Sequence, residues 1–584
     1  MKTDHPLREN ILEAVRNPPI SLLLFLAYLF LLHPIIFVNL SEINPFDEAV
    51  FINRGRLLLS GDLPLFSQNP LTAGFYAITY LPFLRSPYWM VESAVLGRLA
   101  LLVLVWLSVY LIARQLREFA SPFIMPGFLL VTPLVAEFIR FPSDPLFASL
   151  AGLAFWQLLS YYNTLSTKHL WLGSAFLGLA ALARNDGLLL FLIFLGLVLV
   201  LSLRKTRILP TLLPTVLPFF LLVAGYVVLS GAFTGRFDLG TTRRTYDNFE
   251  AGQQIIYAGD GGINPVIDSK LEARRLFGTP EENNYSVFAA IRRNPQVYLQ
   301  RVRAITFDLP DRLLSAYGIR FAAIFLLLGM RGALALIQMK EYRLLIVFLL
   351  WPLYSLSGFV ITIFRQGHLQ FHYYIVYGLA AIGLAALLKN IRSRRERYIW
   401  YSVLGVLVLS GLAFDKLAVY LGAVVFLFVL WLIHTVSRQY QRLEGMPAVA
   451  LLMLLAAGLV LHGNYPPPKV LTLGEDPRER GAVYMAENLP QGTRVAAAAP
   501  GVVWMARMDY HALAAPEVPS DVSPDEFLSW LVGQGVEAIY VDHQLYNTNP
   551  AIWSLITPHI GDEIERAFTA DNGDIQVLIL KTDR

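Results

Sequence analysis

Asp47 and Glu48 are adjacent carboxylates just past the first long apolar run, in Asn44-Pro-Phe-Asp-Glu-Ala-Val-Phe-Ile-Asn-Arg-Gly-Arg-Leu-Leu-Leu-Ser-Gly-Asp62. Arg54 and Arg56 follow about two helical turns later. An acid pair at a membrane surface, with cations close behind, suits proton transfer beside a phosphate-bearing lipid. The same residues also have a plain structural use. Asp47 is a natural N-cap for an amphipathic helix running through Ala49–Leu59, where its carboxylate would accept from free backbone N–H groups. The residues alone leave both readings open.

Further acids recur near the ends of later apolar runs. Glu137 and Asp144 lie in Glu137-Phe-Ile-Arg-Phe-Pro-Ser-Asp144-Pro, and Asp186 in Arg184-Asn-Asp-Gly187. Ionisable groups at membrane depth are costly and persist where a cavity or a partner satisfies them. Each has a structural alternative. Asp144 before Pro145 makes a helix N-cap, Arg184–Gly187 reads as a tight turn, and Glu137 pairs with Arg140 at helical spacing. His368 and His372, four apart in Arg365-Gln-Gly-His-Leu-Gln-Phe-His372, share one helical face. Such a pair can ligate a metal or hydrogen-bond to backbone, lipid or sugar. Cys is absent, which excludes disulfides and thiolate metal sites. No nucleophile elbow, P-loop or Rossmann glycine pattern stands out. A transferase built this way would not draw on a cytoplasmic nucleotide sugar.

The elements that carry these groups follow from composition. The chain has 584 residues, 55% hydrophobic and 15% charged, with mean hydropathy +0.52. That places it among integral membrane proteins. The net charge of +4 is accounted for by cytoplasmic loops rather than by nucleic acid. Met1–Pro19 is polar and shows no cleavable signal, so the following apolar run reads as an anchor. Apolar runs read as spans near 20–40, 94–113, 122–138, 144–162, 169–183, 187–203, 208–230, 313–330, 343–364, 372–388, 398–414, 417–435 and 447–463. This predicts a polytopic α-helical protein with about thirteen transmembrane helices.

Charge sets the sidedness. With the N-terminus cytoplasmic, inner connections carry Arg114, Arg117, Lys168, Arg204, Lys205 and Arg207, and later Lys389, Arg392, Arg394 and Arg395. Short outer connections carry little, which is the positive-inside pattern of a multi-pass plasma (inner) membrane protein. Three segments then fall outside: loops at 41–93 and 231–312, and the tail from 464. Residues 1–463 form the membrane domain and 464–584 an extracytoplasmic α/β domain. In the tail, Ser523-Pro-Asp-Glu526 is a capping box leading a helix over Phe527–Gly533, and Val536–Val541 reads as a strand. Val495–Val503 reads as an earlier strand, and Asp571-Asn-Gly573 as a hairpin turn between Glu565–Thr569 and Ile575–Leu580. The long outer loop at 231–312 is rich in Arg, which suits membrane lipids bearing anionic phosphate.

The segment Phe46-Asp-Glu-Ala-Val-Phe-Ile-Asn-Arg-Gly-Arg-Leu-Leu-Leu-Ser-Gly-Asp62, followed by Gly97-Arg98-Leu99, resembles the first outer loop of the GT-C membrane glycosyltransferases. The nearest patterns are those of the protein O-mannosyltransferases and the lipid A aminoarabinose transferases. Gly178-Leu-Ala-Ala-Leu-Ala-Arg-Asn-Asp-Gly-Leu188 resembles a second recurring stretch of that superfamily. The resemblance spans the chain in architecture but only these short segments in motif. It implies transfer of a sugar from a polyprenyl phosphate to an acceptor protein, lipid or glycan on the outer face. By position, Asp47 matches the family's catalytic carboxylate and Asp144 an acid of the second outer loop. The lysine-bearing Lys-Pro-Pro segment of the family is replaced by Thr79-Tyr-Leu-Pro-Phe-Leu-Arg-Ser-Pro87, with Arg85 the nearest substitute cation.

The chemistry so implied needs one base for the acceptor's proton and cations for the leaving phosphate. Displacement in a single step inverts the anomeric carbon and needs no cofactor. Asp47 would be the base, with Glu48 its partner or helix support. Arg54, Arg85 and Arg365 are candidates for the phosphate, and Arg243 and Arg244 for the donor's approach. An alternative is a metal-dependent oligosaccharide transferase in which Asp47, Glu137 and Asp144 hold a divalent metal. A transporter or flippase of lipid-linked sugars would show internal repeats and charges at mid-span, and neither is visible.

Overall fold

The computed structural model describes residues 18–61, 69–131, 138–202, 209–235, 237, 241–257, 265–316, 319–360, 371–390, 398, 402, 471–513, 522–548, 550–570 and 573–581. The chain enters through α1 (Pro18–Ile36), and two short helices follow, α2 (Glu48–Ser60) and α3 (Pro70–Tyr80). The longest helix, α4, runs Trp89–Gln115. Next come α5 (Ile124–Val131), α6 (Ser143–Thr164), α7 (Lys168–Ala183), α8 (Asp186–Ser202) and α9 (Leu209–Thr234).

Among the described residues, Trp89–Gln115 and Pro210–Phe233 are long and apolar enough to cross a membrane. On α9, Leu213, Phe220, Leu221, Val228, Leu229 and Phe233 are exposed. A helix with so many apolar side chains outside any protein core needs lipid as its solvent. Shorter apolar helices, among them Ser21–Ile36, Lys168–Ala183 and Asp186–Ser202, coincide with expected spans. The three expected spans after 398 fall almost wholly outside the described residues. The run expected at 313–330 falls on α13 (Pro295–Ala316) and α14 (Ile319–Gln338), with residues 317 and 318 outside the described ones. Further helices α15 (Tyr342–Leu350), α16 (Leu356–Val360) and α17 (Tyr373–Asn390) complete this part, with α17 packed along α14.

Between α9 and α14 the chain leaves the bundle as α10 (Thr241–Ala251), α11 (Pro265–Phe277), α12 (Val287–Arg293) and the first part of α13. These helices bury Tyr246, Phe249, Ala273, Phe277, Val287 and Ala290 against one another in a small core of their own. Ser286 caps α12 by accepting from the Ala289 amide.

The tail is an α/β domain. It comprises α18 (Pro477–Asn488), β1 (Arg494–Ala497), α19 (Pro500–Met505), β2 (Asp509–Ala512), α20 (Pro524–Gly533) and β3 (Ala538–Val541). Then follow α21 (His543–Thr548), α22 (Pro550–Ile556), β4 (Ile564–Ala570) and β5 (Ile575–Leu580). The sheet order is β2-β1-β3-β5-β4. The first three strands pair in parallel, whereas β5 is antiparallel to both neighbours. The expected capping box is formed, Ser523 accepting from the Glu526 amide and Glu526 from the Ser523 amide. Replacing Ser523 with Ala should cost about 1 kcal/mol, read as a lowered unfolding temperature of the purified protein. The strand expected over Val495–Val503 is shorter, because Pro500 at the first helical position starts α19. Polar β2 and α18 gave no clear periodic signal in the sequence.

Side-chain alternation explains how this domain sits. Val495 and Ala497 of β1, Ala538 and Tyr540 of β3, and Ile575 and Val577 of β5 enter one core. Ala496, Ile539, Val541, Leu578 and Leu580 enter another, beneath α20 and α22. The first of these cores is shared with Val38, Leu40, Ile43, Ala49, Phe51, Ile52 and Trp89 of the membrane part.

Candidate active site

Asp47 and Glu48 sit at the start of α2, and one helical step of about 100° separates them. Glu48 turns inward and is fully buried, whereas Asp47 is half-buried. Below Glu48 on the same face, Ile52 is buried and Gly55 lies against the backbone of α3, so close that a Cβ there would come 2.5 Å from the Ala77 nitrogen. Two adjacent carboxylates therefore have different surroundings and cannot share a task.

The Glu48 carboxylate is held by Arg98 of α4. Arg98 Nε donates at 2.8 Å to Oε1, and Nη2 pairs with Oε2. The Tyr76 hydroxyl donates to Oε1 at 3.4 Å. Arg98 also donates to the carbonyls of Ile35 at 2.8 Å and Glu42 at 3.3 Å. One guanidinium thus joins the end of α1, the turn after it, the start of α2 and α4. Its fork of donors suits that task, because a lysine has no planar geometry to match. Gly97 makes room for the Tyr76 ring, which a Cβ there would approach to 2.6 Å.

Asp47 occupies the N-cap position, yet its side chain makes no capping hydrogen bond. Asn44 Oδ1 accepts from the amides of Phe46 and Asp47 at 3.1 and 3.2 Å, which closes the turn before the helix, and the Asn44 carbonyl accepts from the Ala49 amide at 3.0 Å. No hydrogen bond or ion pair engages the Asp47 carboxylate among the described residues. Arg54 lies two turns on, at 5.9 Å from the Phe51 ring, and burial lowers its pKa.

Asp144 differs from the expectation as well. The N-cap of α6 is Pro142, and Asp144 in the first turn pairs with Arg184 instead. Arg184 also donates from Nε to Asp186 Oδ2 at 3.0 Å, and its guanidinium lies 4.8 Å from the Phe371 ring. The Ser357 hydroxyl donates to Asp186 Oδ1 at 3.0 Å. Arg184–Gly187 is the expected tight turn between α7 and α8, and it also gathers a cation, two carboxylates and an aromatic face. Arg184→Met should destabilise the protein by roughly 3 kcal/mol or more, because two largely buried carboxylates lose their shared cation. A thermal melt of the purified variant measures this.

The remaining candidates are scattered. Arg85 is exposed after α3, and Arg243 is exposed at 5.0 Å from the Tyr285 ring. Arg244 belongs to α10, while Glu137, Arg365 and His368 lie outside the described residues. Among the described residues no hydrogen bond or ion pair joins Asp47 to Asp144, Arg85 or Arg243. His372 is buried, with Nε2 bonded to the Ser355 hydroxyl and its ring 4.8 Å from Tyr354. Among the described residues no three His, Asp or Glu side chains come together as a metal-ligand group. Sequence reasoning missed the roles of Arg98 and Arg184. Each stands inside one of the motifs, but only the fold shows which carboxylates it reaches. It also missed Arg301 of α13, a fully buried guanidinium 4.5 Å from the Phe249 ring and 5.3 Å from Phe277. Burial pushes its pKa down to about 9.

This arrangement of helices and tail is shared with solved structures. ArnT from Cupriavidus metallidurans bound to undecaprenyl phosphate superposes with a TM-score of 0.53 at 14% identity, covering 98% of each chain. The apo form of that protein gives 0.51 at 15% identity, covering 95% of this chain and 97% of the other. The oligosaccharyltransferase of Archaeoglobus fulgidus, tethered to an acceptor peptide containing the NVT sequon, gives 0.50 at 12% identity. It is matched over 97% of this chain and 74% of its own. No family model and no curated protein sequence matches the chain. The chain has the fold of these solved proteins, as the sequence resemblance implied.

Proposed function

We propose that this protein is a glycosyltransferase that moves a sugar from a polyprenyl-phosphate donor to an acceptor on the extracytoplasmic face, with Asp47 as general base. The observation that carries the reading is the Asp47 carboxylate, which neither caps its helix nor pairs with a cation among the described residues, beside a buried, neutralised Glu48. A carboxylate left so can accept the proton of an attacking hydroxyl as it closes on the anomeric carbon. Glu48 positions the helix start rather than touching substrate. Solved neighbours of the same fold include one bound to undecaprenyl phosphate, which supports a polyprenyl carrier. Arg54, Arg85, Arg365, Arg243 and Arg244 are the candidates for the lipid phosphate, whose charge grows as the sugar leaves. Asp144 is paired through Arg184 with Asp186, which joins the starts of α6 and α8.

The test is transfer by the purified protein in lipid nanodiscs, supplied with polyprenyl-phosphate sugars and envelope acceptors. Turnover that persists in EDTA is expected for the metal-independent, inverting mechanism. Loss of turnover in EDTA, restored by a divalent cation, would favour the metal-dependent oligosaccharide reading instead. A reporter fused after Arg584 is expected to be active outside the cytoplasm, and a cytoplasmic signal would put the acids on the wrong face.

A further inference from the structure

The C-terminal domain is bonded directly to the turn that leads into Asp47. Leu40–Glu42 form a single 3-10 turn after α1. Its Leu40 amide donates to Glu479 Oε1 at 3.1 Å, and its Ser41 amide to Asp476 Oδ2 at 3.0 Å. Glu479 is 0% exposed and Asp476 6%. Both carboxylates are also tied into their own domain. Glu479 Oε2 accepts from the Gly474 amide at 2.7 Å, and Asp476 Oδ1 caps α18 through the Arg478 amide at 2.8 Å. On the other side of the turn, the Glu42 carbonyl accepts from Arg98, which holds Glu48. Trp89 Nε1 donates to the Met505 carbonyl at 3.0 Å, so α4 is tied to α19 as well.

A one-turn helix leaves its first amides without internal partners. Here the tail domain supplies acceptors for two of them, under an apolar cover in which Leu40, Ala49 and Ile52 meet Val495, Val502 and Met505. The junction stays accessible to water through a cleft of about 450 Å³ lined by Asn39, Ser41, Asp476, Arg478 and His543. We infer that the C-terminal domain is part of the catalytic apparatus, with Asp476 and Glu479 as positioning residues that fix the Leu40–Glu42 turn and, through Arg98 and Glu48, the place of Asp47. This rests on the reading of Asp47 as the base. Displacing a catalytic group by about 1 Å can cost about 100-fold in rate, so such a tether can govern turnover without touching substrate.

The discriminating variant is Asp476→Asn in the full-length protein. Its amide oxygen still caps α18, but its NH₂ now faces the Ser41 amide, donor against donor. Glu479→Gln is the second variant and disturbs the Leu40 side in the same way. Two quantities are read: hydrogen exchange over residues 40–49, and kcat and KM for the polyprenyl-phosphate sugar. The expected result is faster exchange at 40–49, kcat lowered at least about 10-fold and donor KM within about 2-fold of the parent. Unchanged exchange overturns the tether. Faster exchange with kcat intact overturns its catalytic role, and so does a raised KM with kcat intact, which would make the domain a substrate-binding module. A parent protein that transfers no sugar from any polyprenyl phosphate would sink the proposed function instead, and the exchange measurement would still decide the tether.

Discussion

Asp47→Asn is expected to lower kcat for transfer from polyprenyl phosphate by about 10²- to 10⁴-fold, the usual contribution of a general base. The amide is nearly the same size and cannot take a proton. The carboxylate makes no cap bond and no ion pair among the described residues, so its replacement removes no stabilising contact there. The variant should therefore insert, melt and bind donor as the parent does. Turnover within about 10-fold of the parent would refute the assignment of Asp47. The comparison with Glu48→Gln sharpens the test, because that change lowers activity through misplacement and lowers the melting temperature as well.

Arg98→Ala should be the most destabilising single change in this region. It leaves Glu48, fully buried, without its cation. Removing one partner of a buried pair costs about 3–5 kcal/mol, far more than the pair itself contributes over an apolar substitute. It also frees the carbonyls of Ile35 and Glu42, which lose donors they accept from now. The double variant Glu48→Gln with Arg98→Met should recover most of the melting temperature, since no unpaired charge remains. It should not recover turnover, because nothing then joins α1, the turn and α2 to α4. A double variant with parental kcat would show that the ion pair does not position the site.

The two predictions separate because Asp47 and Glu48, neighbours in sequence, differ in every contact. The sequence placed both in one motif, beside a membrane, with a helix following. That much was legible because apolar runs, caps and the Asp-Glu step are local features. Local spacing could not tell which carboxylate faces inward, since that depends on where α3 and α4 lie against α2. The same holds for the caps. Ser523 and Glu526 were readable because both partners sit within one turn. The cap readings of Asp47 and Asp144 failed, because Asp47 makes no capping bond and Asp144 pairs with Arg184, 40 residues away.

What the sequence determined by itself is the membrane class of the chain, the capped helix and hairpin of the tail, and the acid-bearing stretch after the first span. Hydropathy and short-range chemistry decide these, and both act within a few residues. The tertiary structure decided the rest: that Arg98 neutralises Glu48, that Arg184 joins Asp144 to Asp186, and that Asp476 and Glu479 hold the turn before Asp47. Apart from Arg184 with Asp186, two residues on, each of these contacts links residues 40 or more apart in the chain. No periodicity records such pairs, because only the packing of whole elements brings the charges within reach and removes the water that would otherwise screen them.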